Sequence, residues 1–472
     1  MTDHETARYE PESSGEENPG RENLIARMGR ACLRFSLKYM PSSSIFAIAL
    51  TFIALLLGIF LAGRTPAQMV DYWGRGFWGL LAFAMQMTLI IITGSAIARS
   101  PLLKSCIRAL AAAPMTGPQA VWLISMIAIL LSFLHWGLSL ITGALLAREI
   151  AREMRRRKIP CDYRLIAACG YLGLMTYHGM LSASIGLSIA TPGHALEAEI
   201  GVVPLSLYMG NFVNVFVTVG LIILPPLVAT MMHPREEGIM PVAPEILNML
   251  DEEDAPAAGR PEAPSFGERL SYTPLVALPI GLLGLFYVYR AFDARGFAAF
   301  DTDMLNFIFL FLGILLYGNI AAYIQALKEA ASGAVGIIFQ FPFYAGIVGM
   351  IRYSGLVDIL ANSIVSVSDE ATFYLWTFIS SSVINLFVPS GGGQWALQGP
   401  AVAASAKLMN ADLVKASLMV AYGDTWTNMI HPFWAIALLD ITGLKARDII
   451  GYTTAIMLCC GVVFLVAAFL PM

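Results

Sequence analysis

Residues 385–398 read NLFVPSGGGQWALQ and lie near the centre of a stretch, 371–406, that contains no charged residue. Proline and three successive glycines do not continue a helix, because proline lacks a backbone donor and glycine leaves the backbone conformationally free. Irregular backbone at membrane depth is tolerated only where protein or a water-filled cavity covers it. The stretch therefore predicts a membrane protein in which two short helices meet at a covered break, as in a re-entrant hairpin.

The composition of the whole chain agrees with a membrane location. Of its 472 residues, 57% are hydrophobic and 13% are charged, whereas soluble domains carry about 25% charged residues. A spanning helix needs ~20 mostly apolar residues, and such runs recur. They lie at about 42–62, 77–98, 118–147, 164–191, 202–232, 272–292, 304–318, 333–351, 371–406, 413–441 and 448–470. We therefore expect an all-α polytopic protein in the lipid bilayer, and the net charge of −4 gives no indication of nucleic-acid binding.

The charges around 118–147 predict a second broken segment. Basic residues precede it at 99–108 and follow it at 148–164, so both flanks are expected to be cytoplasmic. One crossing would place the flanks on opposite sides, and one helix over this range would be ~45 Å long against ~30 Å of hydrocarbon. We therefore predict a re-entrant hairpin that bends near His135–Ser139. A long tilted helix with differently assigned loops is the alternative.

The same charges divide and orient the chain. Residues 1–40 are expected to form a disordered tail and an amphipathic helix on the inner membrane surface, and residues 41–232 a first transmembrane repeat. A polar loop at 233–271 separates it from 272–472, a linker span followed by the second repeat. The loop at 192–203 lacks Lys and Arg and is expected to be external. The predicted topology has a cytoplasmic N-terminus, nine crossings, two hairpins and an external C-terminus.

Short matches at nearly constant spacing relate the two halves. Phe83-Ala84-Met85-Gln86 aligns with Ile337-Ile338-Phe339-Gln340, His135 with Asn385, and Gly179-Met180-Leu181 with Asn428-Met429-Ile430. The extra span at 272–292 makes the connection between the halves odd, so the second half is expected to be inverted. Inverted repeats with broken helices near the midplane are a common plan of secondary transporters.

The glycine break is the first candidate binding site. A helix that restarts there points its positive end and free N–H groups inward, which attracts a carboxylate without a buried Lys or Arg. The predicted substrate-binding residues at this break are Asn385, Ser390, Gly391, Gly392, Gly393 and Gln394, and those elsewhere are His135, Ser139, Ser182, Ser184, Gln86 and Gln340. A close-packed glycine turn is the alternative for the break, and helix packing is the alternative for Gln86 and Gln340.

Asp424 is the candidate for ion coupling, because it is the one acidic residue well inside an apolar segment. A buried carboxylate in a membrane is costly and usually functional. Thr427 and Asn428 lie close behind it, and Gly423 and Pro432 predict a helix break whose free carbonyls could hold Na⁺. A structural hydrogen-bond hub is the alternative. No metal site is predicted, since His135, His178 and His431 show no ligand spacing and the six cysteines are scattered.

At these residues the chain resembles the short-chain fatty acid transporter family, of the acetoacetate and butyrate uptake type, over about 24–470. The matching stretches are Trp73-Gly74, Gly76-Phe77-Trp78, 80–83, Gln86-Met87, 339–346, 388–393, Gln398-Gly399-Pro400, Ala421-Tyr422-Gly423 and 432–435. The family is similar to a wider ion-transporter superfamily of carboxylate carriers. The resemblance implies paired re-entrant hairpins, an elevator-type motion, often a homodimer, and the bacterial inner membrane.

The chain departs from the family pattern at three places. His135 stands where the family often has Asn, Tyr177-His178-Gly179-Met180 replaces a glycine-rich run, and His431 replaces a neutral polar residue. Asp424 retains the acidic character of a position that is often Glu.

The leading hypothesis is a non-enzymatic carrier of short-chain fatty acids or similar small monocarboxylates, without a cofactor and driven by H⁺ or Na⁺. A dicarboxylate or other organic-anion carrier of the same superfamily is the alternative. An intramembrane enzyme is disfavoured. Gly423-Asp424 resembles part of the GxGD motif of aspartyl membrane proteases, but residue 421 is Ala and there is no second intramembrane Asp in a Tyr-Asp pair. A channel would not explain broken repeats around a buried acid.

Overall fold

The computed structural model describes residues 24–39, 43–190, 197–234, 238–248, 265–299, 302–356, 358–359, 366–389 and 391–471, and these residues form helices, turns and loops without a strand. The prediction of an all-α protein is confirmed over this part of the chain. The tail at 1–23 and the candidate residue Ser390 lie outside the described residues.

The helices of the first half begin and end as follows: α1 Leu24–Tyr39, α2 Ser43–Phe60, α3 Pro66–Gly76, α4 Leu81–Ala98, α5 Pro101–Ala112, α6 Gly117–Leu134, α7 Trp136–Arg156, α8 Tyr163–Gly170, α9 Ser184–Ala190, α10 Glu197–Ile200, α11 Leu205–Gly210 and α12 Phe212–Met231. Those of the second half are α13 Phe266–Ser271, α14 Pro274–Arg295, α15 Thr302–Tyr317, α16 Ile320–Ala330, α17 Val335–Ser354, α18 Phe373–Asn385, α19 Gly391–Leu408, α20 Leu413–Thr427, α21 Pro432–Thr442 and α22 Ala446–Phe469.

Five of the described helices are long and apolar enough to cross a membrane: α6, α12, α14, α17 and α22. A sixth span is possible if α4 and α5, which meet at 79°, are one broken span. Shorter apolar helices lie at Ser44–Phe60, Asp303–Tyr317 and Pro432–Thr442. The count of nine crossings stays a prediction, because length and apolarity identify spans but do not place the bilayer.

Helices α6 and α7 form a helical hairpin that breaks at His135, where the backbone is extended with φ −161° and ψ 128°. At the opposite end, the Arg157 guanidinium donates to the carbonyl oxygens of Ala112 and Pro114, at 3.0 Å and 2.9 Å. The start of α6 and the end of α7 therefore lie side by side. The long straight helix considered as the alternative for 118–147 is wrong.

Helices α18 and α19 form a second helical hairpin. Helix α18 ends at Asn385 and α19 begins at Gly391, so the break falls in the proline-glycine motif. At the base, the backbone N–H of Asp412, which follows α19, donates to the hydroxyl of Tyr374 in the first turn of α18, at 2.8 Å. The two uncharged stretches of the sequence thus fold in the same way.

The break predicted from Gly423 and Pro432 is present directly before Pro432, but Gly423 does not contribute to it, because Gly423 lies inside α20. A Cβ there would lie 2.5 Å from Ser381 Cβ and 2.6 Å from Ser382 N. Glycine is needed because α20 packs closely on α18 rather than because the chain bends. The break lies at Asn428–His431, between α20 and α21, and His431 caps α21 through Nδ1, which accepts from Phe433 N at 3.1 Å.

Two predicted apolar segments are also interrupted. Between α8 and α9, in the range 164–191, the chain forms the 3₁₀ turns Leu172–Met175 and Tyr177–Gly179. In 202–232, α11 ends at Gly210 and Asn211 caps α12 by accepting from Val213 N at 3.0 Å. Short helices such as α3 and α16 were not predicted, because they lie outside the long apolar runs that the prediction used.

The halves exchange partners. Helix α17 of the second half packs on α2 and α3 of the first, whereas α4 packs on α15 and α16. At one contact a Cβ on Gly349 would lie 2.6 Å from Tyr72 O and from Gly76 Cα, so only glycine permits the approach of α3 to α17. Similarly, α21 packs on α7 and α19 packs on α9. This exchange brings the broken segments of both halves to one place.

Candidate functional site

Asp424 lies near the end of α20 and is fully buried. Its Oδ2 accepts a hydrogen bond from the Tyr177 hydroxyl at 2.7 Å and from Asn428 Nδ2 at 3.3 Å. The same oxygen lies 3.3 Å from His178 Nε2. Tyr177 and His178 come from the 3₁₀ turn of the first half, where the chain cannot form a longer helix. The carboxylate of one half is therefore held by a phenol and an imidazole of the other.

Asn385, at the end of α18, holds the end of α20 in place. Its Nδ2 donates to Asp424 O at 2.8 Å, to Thr427 Oγ1 at 3.1 Å and to Asn428 Oδ1 at 2.9 Å. The amide N–H groups predicted to contact substrate are thus engaged within the protein. The predicted coupling residues Thr427 and Asn428 do lie beside Asp424.

Gln394 has a similar arrangement in the first turn of α19. Its Nε2 donates to Ser381 O at 2.9 Å and to Gln398 Oε1 at 3.1 Å, and Gln398 Nε2 donates to Ser380 Oγ at 2.9 Å. These bonds fix the beginning of α19 against α18. Gln394 therefore positions the break, and the role of its amide group as a substrate donor is not supported by this geometry.

Three buried side-chain oxygens at these positions have no hydrogen-bond partner: Asp424 Oδ1, Asn385 Oδ1 and Gln394 Oε1. A buried acceptor left without a donor costs ~1–3 kcal/mol. These three oxygens are therefore available to accept a hydrogen bond or to coordinate a cation.

The glycine break meets the first half directly. A Cβ on Gly391 would lie 2.6 Å from His178 Nε2 and 2.5 Å from Ser184 Oγ, whereas a Cβ on Gly392 would meet nothing within 4 Å. Gly393, the next residue, is exposed. The first turn of α19 thus contacts His178 on one side and faces open space on another.

The other predicted residues of the first half lie around the His135 break. His135 Nδ1 accepts from Gly137 N at 3.0 Å, and Ser182 Oγ accepts from Trp136 N at 2.9 Å. Ser139 Oγ donates to Ala128 O at 2.7 Å, inside the α6–α7 hairpin. His135 and Ser139 therefore have clear structural roles, while Ser182 and Ser184 lie on the chain segment that also carries His178.

The structure does not bring the two glutamines to Asp424. Gln86 Nε2 donates to Asp303 Oδ1 at 2.6 Å and joins α4 to α15. Gln340 is buried on α17, where its Nε2 is 3.6 Å from a Cβ built on Gly336, and its Oε1 has no hydrogen-bond partner. The bond to Asp303 fits the alternative role of Gln86 in helix packing, and its role in substrate binding stays a prediction.

Most carbonyls at the Asn428–His431 break are already hydrogen-bonded. The Tyr171 hydroxyl lies 2.9 Å from Asn428 O and 3.3 Å from His431 O, and the Thr453 hydroxyl donates to Met429 O. Three of the four carbonyls at this break are therefore not free, and a role of the break in binding Na⁺ stays a prediction. Among the described residues, no group of three or more His, Cys, Asp or Glu side chains could hold a metal ion.

Sequence reasoning did not assign roles to Tyr177, His178 or Tyr171. The first-half segment showed hydroxyls and a histidine without an acid, and the acid that completes it comes from the other half. Departure from the glycine-rich family pattern at Tyr177-His178 was the available signal. Asn214 of α12 was also missed, although its Nδ2 donates to Gly179 O at 2.8 Å and its Oδ1 accepts from the Tyr422 hydroxyl at 3.2 Å.

The chain has close relatives in two bacteria. A protein of Escherichia coli (strain K12), named as a candidate short-chain fatty acid transporter, is 39% identical over 94% of this chain and 99% of its own length. One of Haemophilus influenzae with the same name is 36% identical over 94% of this chain and 100% of its own length. Among solved structures, the YdaH transporter of Alcanivorax borkumensis covers 90% of this chain and 98% of its own at 15% identity, with a TM-score of only 0.40.

The model of the short chain fatty acid transporter family matches residues 24–470. Its span covers nearly all of the described helices, including both helical hairpins and the Asp424 cluster. The chain is therefore a multi-pass membrane protein and belongs to the short-chain fatty acid transporter family.

Proposed function

We propose that the protein is a secondary transporter that carries short-chain fatty acids or similar small monocarboxylates across the inner membrane, coupled to H⁺ or Na⁺. The observation that carries the proposal is the buried Asp424 carboxylate, held at 2.7 Å by Tyr177 from the other half of the chain. An ionised carboxylate at such a site needs compensation by a proton or cation. The site requires a compensating positive charge, and interrupted segments from both halves of the chain form it. Such a site suits a carrier whose halves move between two states.

The first turn of α19 is the proposed anion site. Unpaired N–H groups and the helix dipole make a helix N-terminus attractive to a carboxylate. Gly392 leaves open space there, and the adjacent Gly391 abuts His178. Neutral binding groups of this kind suit one carboxylate. A second carboxylate would need another positive group, and the residues recorded around Asp424 include no Lys or Arg. This favours a monocarboxylate over a dicarboxylate.

We further propose that the two helical hairpins are re-entrant and that the halves form inverted repeats. In support, each hairpin brings its two ends together, and both halves contain in order a long helix, a short helix, a long helix, a hairpin and a broken segment, with the additional helix α5 before the hairpin of the first half. An elevator-type motion would carry the hairpins and the Asp424 cluster past α2–α4 and α15–α17. A homodimer, the cytoplasmic N-terminus and the absence of enzymatic activity belong to the same proposal.

Uptake of labelled C2–C6 monocarboxylates and of one dicarboxylate into proteoliposomes tests this function, with H⁺ and Na⁺ gradients imposed separately. Concentrative, saturable uptake of a monocarboxylate is the expected result. Preference for the dicarboxylate would support the alternative of a dicarboxylate carrier. An internal substrate concentration that never exceeds the external one would indicate a channel.

A further inference from the structure

We propose that His178 and Asp424 form a shared proton-binding pair, so that the coupling ion is H⁺ and one proton moves with each monocarboxylate in an electroneutral cycle. This inference rests on the proposed transport function and adds the ion, the stoichiometry and a residue to it. His178 Nε2 lies 3.3 Å from Asp424 Oδ2, and the two side chains are 1% and 0% exposed.

The groups that contact Asp424 suit a proton better than Na⁺. Oδ2 accepts from Tyr177 and Asn428, and the imidazole Nε2 lies at hydrogen-bonding distance from the same oxygen. Sodium is bound by oxygen acceptors, whereas a hydroxyl or amide N–H directed at the carboxylate presents positive hydrogen. The neighbouring carbonyl Asp424 O also accepts a bond, from Asn385 Nδ2 at 2.8 Å. Donors thus occupy Oδ2 and the backbone carbonyl of Asp424, which leaves Oδ1 as the only acceptor of this residue without a recorded partner.

No other strong charge competes for Asp424 in the described residues, where His178 is the basic side chain recorded within 4.0 Å of it. The titratable groups that face it from neighbouring elements are phenols: Tyr177 from the 3₁₀ turn, Tyr171 after α8 and Tyr208 from α11. Asn385 of α18 bonds to Asp424 O, Ser184 of α9 lies 3.5 Å from His178 Nε2, and both side chains are neutral. The number of protons bound at the site therefore depends on His178 and Asp424.

Charge counting gives the stoichiometry. With one proton the pair is neutral overall, either as Asp⁻ with HisH⁺ or as AspH with neutral His. With two protons it carries one positive charge, which a bound monocarboxylate anion neutralises. The empty carrier and the loaded carrier are then both neutral, so neither pays the large cost of moving a net charge through low dielectric. One proton and one anion enter together on one side and leave together on the other.

The position of the glycine break connects the pair to the substrate. Gly391 opens α19, and a Cβ there would lie 2.6 Å from His178 Nε2. An anion at the first turn of α19 therefore lies next to the imidazole that accepts the second proton.

The first experiment uses the full-length protein in proteoliposomes, with butyrate or acetoacetate and with uptake by protein-free liposomes subtracted. Accumulation is measured with a pH gradient alone, a K⁺/valinomycin membrane potential alone, and a Na⁺ gradient alone. The proposal expects accumulation with the pH gradient only, approaching ~10-fold per pH unit for one proton per anion. Accumulation that requires Na⁺ would overturn it and assign the unpaired oxygens of Asn385 and Gln394 to a sodium site. Accumulation driven by the membrane potential alone would overturn the electroneutral stoichiometry.

The second experiment compares His178→Gln with His233→Gln, a histidine substitution at the end of α12, outside the cluster. Gln keeps polar atoms but does not titrate. His178→Gln is expected to lose accumulation driven by the pH gradient, whereas His233→Gln is expected to retain both this accumulation and counterflow, the exchange of labelled for unlabelled substrate without an ion gradient. Any uptake that remains should become sensitive to the membrane potential, which a purely structural role would not produce. Wild-type proton-driven accumulation in His178→Gln would overturn the proposal.

A measurement on the wild-type protein tests the inference whether or not His178→Gln folds. Addition of substrate should cause proton uptake from a weakly buffered medium, one per anion, and the absence of this signal during uptake would overturn the inference. Absence of saturable counterflow by the wild type would instead contradict the transport function itself, so the two failures are distinguishable.

Discussion

At the scale of single residues, Asp424 has one oxygen with three polar neighbours and one oxygen with none. Such asymmetry is unusual for a carboxylate with a purely structural role, because a structural hub is normally satisfied on both oxygens. Tyr177 and His178 hold Asp424 from the other half, so its hydrogen bonds depend on the relative position of the halves. Its surroundings therefore support the coupling role better than the alternative of a simple hydrogen-bond hub.

Asp424→Asn keeps the size of the side chain but cannot be ionised. We expect gradient-driven accumulation to fall at least ~10-fold, because hydrogen bonds to a charged group contribute ~1.5–3 kcal/mol, while counterflow persists. Asp440→Asn, on the exposed end of α21, is the matched control and should behave as wild type. Wild-type ion dependence in Asp424→Asn would show that the carboxylate is structural.

Substitutions of the adjacent glycines Gly391 and Gly392 distinguish helix packing from substrate binding. A side chain at Gly391 would meet His178 and Ser184 below 3.0 Å, so Gly391→Val is expected to lower both thermal stability and uptake. Gly392→Val meets nothing within 4 Å and should leave the melting temperature close to wild type, so that any loss of uptake reports a blocked anion site. Normal uptake by Gly392→Val would place the substrate away from this turn.

At the scale of secondary-structure elements, the same device recurs: a glycine without a Cβ allows two helices to touch through their backbones. The α3–α17 contact uses Gly76 and Gly349, and the α18–α20 contact uses Gly423. The contacts differ in consequence, because α3–α17 joins the two halves while α18–α20 supports the Asp424 cluster.

Gly349→Ala is expected to destabilise the protein by ~1–3 kcal/mol, since its Cβ would lie 2.6 Å from backbone atoms of α3 that cannot move aside. Gly74→Ala, in α3 with nothing within 4 Å, is the control and should be neutral or stabilising by up to ~1 kcal/mol. Thermal unfolding in detergent measures both. Equal melting temperatures for the two variants would contradict the close packing of α3 on α17.

At the scale of the whole molecule, the two helical hairpins determine the topology. Because Arg157 bonds to Ala112 O and Pro114 O, residues at the start of α6 and the end of α7 must lie on one side of the membrane. The two ends of such a hairpin lie on the same side of the membrane, as the proposed re-entrant arrangement requires.

Single cysteines at Met115 and Lys158, both exposed, test the first hairpin in a background in which the native cysteines are replaced. An impermeant maleimide added to intact cells should label neither, and after permeabilisation it should label both. Labelling of one site from outside and of the other only after permeabilisation would show that the segment crosses the membrane and is not re-entrant.

The sequence by itself determined the class of protein, a break at His135, a second break that includes Pro389, and Asp424 as an acid within an apolar segment. These depend on local chemistry, because charge depletion, proline and glycine act within a few residues of the chain. The role of Gly423 was misjudged for the same reason, since a glycine that bends a helix and one that allows close packing look alike in sequence.

Only the tertiary structure decided which groups share a site. His178 and Asp424 are separated by more than half the chain and meet because the halves exchange partners, an outcome of packing that no local pattern encodes. Gln86 and Asn385 look alike in the sequence, since each is a polar residue in an apolar run. In the structure Gln86 bonds to Asp303 on α15, whereas Asn385 bonds to the end of α20. A polar side chain in a membrane must find a partner, and which partner it finds depends on the helices that surround it.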